Sequence, residues 1–150
     1  MAQRCMTLLL NKKATHEYEI EETVQAGVVL TGAEVKSLRN KSGSLHGSHV
    51  QIVDGVPVLL NAQITPYKFA DNREYNPKRT RALLLKKKEI IRLKTLQETQ
   101  RRSLVPLRFE LLGGRIKLIV GIGRGRKQYE KREKKKKQDL ARAAQRELAL

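Results

Sequence analysis

Cysteine is almost missing from this 150-residue chain, where Cys5 is the only one. A lone thiol closes no internal disulfide and builds no cysteine-rich zinc site, which excludes a stapled extracellular scaffold. Tryptophan is absent and aromatic residues make up only 4%, too few for a wide platform on which bases stack. No apolar run approaches the roughly 18 residues that span a bilayer. In residues 1–10 the apolar stretch is too short for a secretory leader, and Asn11-Lys12-Lys13 ends it, so the cytosol is the expected location. Acids are scarce as well: 15 Asp and Glu stand against 32 Lys and Arg, a formal net charge of +17. Such an excess suits a polyanion, because each cation near a phosphate releases condensed counterions.

The charge is unevenly spread. Residues 121–150 carry eleven Lys/Arg and four Asp/Glu, and almost no large apolar residue precedes Leu140. That segment cannot bury enough surface to offset its ordering entropy, so it is expected to be disordered alone. The hydrophobic fraction of 39% fills one modest core. The expected organisation is therefore an N-terminal extension at 1–10, one body at 11–123, and a basic tail at 124–150.

Strand signals dominate the body. An extended segment starts at Tyr18 and continues through Val24 to Leu30, with Ala26-Gly27 read as a bulge or bend. A short helix follows over 34–39, where Val35 and Leu38 share a face. Asp54-Gly55 reads as a two-residue hairpin turn between a strand through Val50 and Ile52 and another over 56–64. Pro57 places that second strand at an edge or puts the proline at the strand's start. Residues 66–77 read as a polar loop, 86–100 as an amphipathic helix, and 104–122 as a hairpin turning at Gly113-Gly114. Five or six strands with interposed helices predict a mainly β fold, an OB-like closed antiparallel barrel with peripheral α-helices and a basic tail.

Catalytic chemistry is hard to place on this chain. His46 and His49 have metal-compatible spacing only on a helix, which Gly47 and the following strand oppose. No HExxH sequence or paired carboxylates appear, and Asp54 is a turn residue, so neither a metal, a cofactor nor an enzyme is expected. Gly121-Ile-Gly-Arg-Gly125 lacks the helix and spacing of a phosphate loop and reads as a flexible exit from the last strand.

Three basic groups are more informative. Asn76-Pro-Lys-Arg-Thr-Arg81 places Arg79 and Arg81 on a loop before Leu83-Leu84-Leu85, suited to phosphates and splayed bases. Asn11-Lys12-Lys13-Ala-Thr-His16 joins two cations to an amide and an imidazole. Arg124-Gly-Arg-Lys-Gln-Tyr129-Glu-Lys-Arg132 sets a ring among cations. The lysines at 134–137, followed by Leu140, Ala144 and Leu148, suit a helix formed on a polyanion; a polybasic membrane contact is the other reading. A metal-dependent nuclease would need converging acids, which the sequence does not offer.

The ordered motifs resemble the small protein B family of transfer-messenger RNA-binding proteins. The resemblance runs from about Leu10 to Arg132 and rests on a series of blocks. These are Asn11-Lys12-Lys13-Ala14, His16-Glu17-Tyr18, Gly32-Ala-Glu-Val-Lys-Ser-Leu-Arg39, Ile64-Thr65-Pro66-Tyr67, Arg79-Thr80-Arg81 and Gly123-Arg-Gly-Arg-Lys-Gln-Tyr-Glu-Lys-Arg132. It implies a non-enzymatic barrel that binds the tRNA-like domain of transfer-messenger RNA. It further implies a tail that becomes helical in the decoding centre and empty mRNA channel of a stalled ribosome, against small-subunit rRNA. Alanyl-transfer-messenger RNA would then enter with elongation factor Tu. It assigns body contacts to Asn11, Lys12, Lys13, His16 and Leu84. To the tail it assigns Arg124, Arg126, Lys127, Tyr129, Lys131 and Arg132. Gln25 stands where the family usually has an RNA-facing Glu before Ala-Gly, keeping the hydrogen bonding without the charge. In the tail, Glu133 and the lysines at 134–137 replace the usual Asp-Ile-Lys-Glu-Arg segment.

Overall fold

The computed structural model describes residues 5–149, apart from the side chains of Gln128 and Tyr129. Nine strands and four helices follow one another along these residues. They are β1 (Cys5–Leu10), α1 (Ala14–Glu17), β2 (Tyr18–Val28), α2 (Gly32–Arg39), β3 (Gly43–Ser44), β4 (His49–Val53) and β5 (Val56–Leu60). Then come β6 (Gln63–Ile64), β7 (Arg81–Leu84), α3 (Lys87–Thr99), β8 (Ser103–Leu112), β9 (Arg115–Gly125) and α4 (Gln128–Leu148). The fold is mainly β, and the described ladders are antiparallel.

Seven strands make one sheet in the order β1-β8-β9-β2-β7-β5-β4, while β3 pairs with β6 separately. No ladder joins the end strands β1 and β4 among the described residues. Two hairpins set much of the register. Asp54 and Gly55 both take positive φ (50° and 78°), which matches the twist of β4 and β5. Gly113 and Gly114 (57° and 79°) do the same between β8 and β9. Pro57 is not on an edge strand, since β5 lies between β4 and β7. It pairs with Ile52 one step beyond the Val53–Val56 pair beside the turn, and the β5–β7 ladder covers only Val58 and Leu59. Its missing N–H therefore falls where no ladder bond is made.

The strand of residues 18–28 is continuous, and its irregularity lies between Ile20 and Glu22 rather than at Ala26-Gly27. Gly27 serves close approach instead: a Cβ there would stand 3.1 Å from Leu84 Cβ. Residues 121–125, expected as a flexible exit, are strand paired with β2 from Thr23–Gly121 to Tyr18–Gly125. Residues 5–10 of the segment read as an extension form β1 on β8, and residues 1–4 lie outside the described residues.

Hydrophobic residues bury both faces of the β8–β9 hairpin. Leu38, Leu59, Ile64, Leu93, Phe109, Leu118 and Ile122 lie in the main core. On the other face Ala14 of α1 covers Val105, Leu107 and Ile119, with Tyr18 and Ile20 beside them. The alternation read from residues 115–122 puts Ile119 among the residues facing away from the core; α1 makes a second, smaller core there.

Gly123 is the tightest point in this arrangement. A Cβ built on it would lie 2.0 Å from the Glu19 carbonyl oxygen on β2, whereas one on Gly125 would meet nothing within 4 Å. Gly123→Ala is therefore expected to lower unfolding free energy by at least about 1–3 kcal/mol, the usual cost of overpacking, with Gly125→Ala near neutral. Urea denaturation of the two variants side by side checks this; equal midpoints would contradict it.

Candidate nucleic-acid interface

Where β2, β7 and β9 run side by side, Gly27 pairs with both Leu84 and Lys117. Because Gly27 has no side chain, an open cleft of about 470 Å³ forms over it, lined by Gln25, Leu84, Lys86, Glu89 and Lys117 among others. Leu84 stands 62% exposed on this surface, although its neighbour Leu83 is in the core. Alternation explains that placement, since successive strand residues face opposite sides. The cleft thus offers an apolar contact, an amide, two ammonium groups and one carboxylate, a set able to meet a ribose or base edge with phosphates at the lysines. Gln25 and Leu84 were expected here; Lys86 and Lys117 were not singled out. Lys117 enters through its strand register against Gly27, which no local motif announces.

Asn11, Lys12, Lys13 and His16 lie in or just before α1, which packs on Val105, Leu107 and Ile119 of the β8–β9 hairpin. Asn11 is partly engaged in holding the fold: its side-chain amide nitrogen donates to the Pro106 carbonyl at 2.9 Å, and its backbone N–H donates to Leu107 at 2.8 Å. Lys12 and Lys13 are exposed and His16 half-buried. Asn11 and Lys13 line a hollow of about 310 Å³ together with Glu17, Tyr18, His46 and His49. Among the described residues no group of three or more His, Cys, Asp or Glu is arranged to hold a metal ion. No described helix is long and apolar enough to cross a membrane.

The tail begins beside this second region. The Arg126 N–H donates to the Glu17 carbonyl at 2.8 Å, and Arg124 pairs with Glu19 at 2.7 Å. Farther on, the Lys134 ammonium donates to the Thr15 carbonyl. Arg124 holds the Glu19 carboxyl below the usual carboxylate range, chiefly by hydrogen bonding to it. Burial, and then the nearby Arg126 charge, lower the Lys134 ammonium from its ordinary value. An anion arriving at the foot of the tail would relieve that crowding of cations. Residues 128–148, expected to be disordered alone, are helical here, and from Lys135 onward the described side chains are exposed. Arg124, Lys127 and Arg132 are exposed and Arg126 and Lys131 half-buried, while the Tyr129 side chain lies outside the described residues.

The structure takes Arg81 away from any phosphate. Its side chain is fully buried, with Nε 2.7 Å from Glu34 Oε2 and Nη1 donating to the Ala62 and Arg79 carbonyls. Nη2 donates to Tyr75 and to the Pro77 carbonyl, so all three guanidinium nitrogens are engaged internally. Arg79 also pairs with Glu34, at 2.5 Å, but keeps part of its side chain in solvent. The sequence motif reads as a phosphate grip because nothing local reveals Glu34, 45 and 47 positions away. Burial pushes the Glu34 carboxyl up, yet hydrogen bonds from the Thr31 N–H, Arg79 and Arg81 outweigh it and hold the group below its ordinary range.

The sequence profile of the SmpB protein family matches residues 8–150. The chain belongs to this family. It is 41% identical over 151 residues to an SsrA-binding protein of Lactobacillus johnsonii, covering all of both chains. It is 43% identical over 140 residues to one of Staphylococcus aureus strain Newman, covering 91% of each. In three dimensions it is similar to a chain from a solved structure described as "tmRNA-SmpB: a journey to the center of the bacterial ribosome". The TM-score is 0.67 at 41% identity, over 92% of this chain and 97% of that one. The SmpB match includes both the cleft and the whole described tail.

Removing the buried carboxylate tests the reassignment of Arg81 within this SmpB-family body. Glu34→Ala leaves the Arg81 guanidinium without its counter-charge and is expected to cost about 3–5 kcal/mol. The pH dependence has a definite sign. Because the Glu34 carboxyl is lowered on folding, its contribution is present above the unfolded-state value of about 4.3 and lost as pH falls through the lower folded value. Denaturation midpoints from pH 7 down to pH 3 should therefore fall less for Glu34→Gln than for the parent chain; parallel curves would refute the coupling.

Proposed function

We propose that this chain is a non-enzymatic RNA-binding adaptor for trans-translation in the bacterial cytoplasm. Residues 11–123, with β1 of the 1–10 segment added to their sheet, form the body that binds the tRNA-like domain of transfer-messenger RNA. Residues 124–150 are the tail, which enters the decoding centre and empty mRNA channel of a stalled ribosome and seats its helix against small-subunit rRNA. Alanyl-transfer-messenger RNA then enters with elongation factor Tu, and the nascent chain is tagged. The body's strands are taken to curl as an OB-like closed antiparallel barrel around the main core.

The observation that carries this reading is the exposed Leu84 beside Gly27, set among Gln25, Lys86 and Lys117. Leu84 lies over Gly27 yet turns most of its surface to water, and the surrounding amide and ammonium groups suit a folded RNA surface. Names of the relatives point the same way: SsrA-binding protein, and a tmRNA–SmpB assembly on the ribosome. Lys12, Lys13, His16 and the exposed part of Arg79 extend the body's contacts, and Asn11 contributes what its bond to Pro106 leaves over. Arg124, Arg126, Lys127, Tyr129, Lys131 and Arg132 are assigned to the decoding centre, where cations hold phosphates and a tyrosine ring stacks on a base.

Two measurements separate body from tail. Binding to the isolated tRNA-like domain should weaken with salt, log K falling by about 0.7–0.9 per phosphate neutralised against log salt. Leu84→Asp should lower that affinity at least about tenfold, a difference of about 1.4 kcal/mol. Truncation after Gly125 should leave this binding within a small factor while abolishing tagging on stalled ribosomes. Full tagging by the truncated chain, or no preference for the tRNA-like domain over random RNA, would overturn the proposal.

A further inference from the structure

The loop between β6 and β7 carries an aromatic pair away from the Leu84 cleft and the hollow at Asn11. Tyr67 and Phe69 meet edge to face, with ring centroids 5.5 Å apart and planes at 70°. Phe69 is 77% exposed, an unusual position for a residue of its size in a chain with only two phenylalanines. The pair is held in place by the backbone beneath it. The Tyr67 carbonyl accepts from the Ala70 N–H at 3.0 Å and from the Asn72 side-chain amide at 2.8 Å.

Cations attend both rings. The Lys68 ammonium lies 4.8 Å from the Phe69 centroid, and the Lys36 ammonium of α2 lies 5.5 Å from that of Tyr67. Beside them opens a hollow of about 370 Å³ lined by the polar residues Ser37, Asn40, Ser42 and Thr65, together with Tyr67 and Lys68. None of these residues lines the cleft at Leu84 or the hollow at Asn11.

We propose that Tyr67, Phe69, Lys36 and Lys68 form a second RNA-binding surface on the body, which stacks an unpaired base of single-stranded RNA on Phe69 and holds the adjoining phosphates with the two lysines. This goes beyond the adaptor reading, which places RNA contacts at the Leu84 cleft, the α1 region and the tail. The chemistry favours RNA over an apolar protein partner. A protein face covering the rings would have to strip water from two ammonium groups, a cost that burial of two rings does not readily offset. A nucleotide needs no such stripping, because its base has a flat face for the ring and its phosphates carry the complementary charge. The hydroxyls and amide of the adjacent hollow then meet ribose or base edges, which in RNA include the 2′-hydroxyl.

The test uses the full chain and a single-stranded oligouridylate carrying one 5-iodouridine, irradiated and mapped by mass spectrometry. Cross-links to Phe69 or Tyr67 are expected. Phe69→Ala should remove that cross-link and weaken oligonucleotide binding by about five- to a hundredfold, the usual range for loss of one stacked base. Phe69→Tyr should restore both, and the combined Lys36→Gln and Lys68→Gln change should lower the salt dependence of binding. Affinity for the isolated tRNA-like domain should stay unchanged in all these variants, which shows that they fold and keeps this result distinct from that of the adaptor reading. Cross-links confined to the α1 region, the Leu84 cleft or the tail, or undiminished oligonucleotide binding by Phe69→Ala, would overturn the proposal. Capture of a protein at Phe69 without any RNA cross-link there would overturn it too.

Discussion

Burying the Glu34 carboxylate commits much of the molecule. An ion of that kind is costly in a protein interior unless it is paired and hydrogen-bonded on every side. Glu34 meets the condition by drawing on four groups from two stretches of chain: the Thr31 N–H before α2, and then the Tyr75 hydroxyl with the Arg79 and Arg81 guanidinium groups where the long loop enters β7. Thr31 answers with its own hydroxyl on the Glu34 N–H, closing a capping box that starts α2. The same carboxylate therefore fixes where α2 begins, anchors the loop that carries Tyr67 and Phe69, and holds the first residue of the strand that ends in Leu84. Both exposed surfaces discussed above stand on elements tied to that one buried group.

Local chemistry made some of this legible in the sequence. Asp54-Gly55 and Gly113-Gly114 prefer positive φ wherever they occur, so the two hairpins could be read directly. The period of Ile90, Leu93 and Gln97 marked α3 for the same reason. Gln25 and Leu84 were named through resemblance rather than spacing, and the structure brings them to one cleft. What stayed hidden depends on distant partners. Arg81 looks like a phosphate ligand until Glu34 arrives from 47 residues away, and Ile119 looks outward-facing until α1 covers it. Pro57 left open an edge strand or a strand start, and only the structure decides for the start, where the β5–β7 ladder stops one residue short of it. Residues 121–125 read as flexible since glycine is permissive, but Gly123 is there because β2 comes too close for any side chain.

Arginine and lysine divide the positive charge between them. The ion pairs of Arg79, Arg81, Arg92, Arg102, Arg108 and Arg124 with glutamates spend guanidinium groups on the protein itself. Planar, multiply donating groups suit that task, and the exposed pairs among them add little stability each. Lys12, Lys13, Lys86 and Lys117 appear in none of these pairs, and they stand on the surfaces proposed to meet RNA. Formal net charge thus overstates what the arginines can offer a polyanion and says nothing of where the lysines stand.

The tail shows how weakly its helix is tied to the body. The root touches the body at Arg124, Arg126 and Lys134 among others, and the described side chains beyond Lys134 are exposed. A helix polar on nearly all faces gains little from tertiary packing, and four successive lysines at 134–137 repel one another. Its order is then set by what lies around it. Beside a polyanion, lysine repulsion becomes attraction and the helix gains the partner that its own body does not supply. The ties at the root leave the direction of entry defined while the rest of the helix remains free to seat, which is what an adaptor reaching from one RNA into another requires.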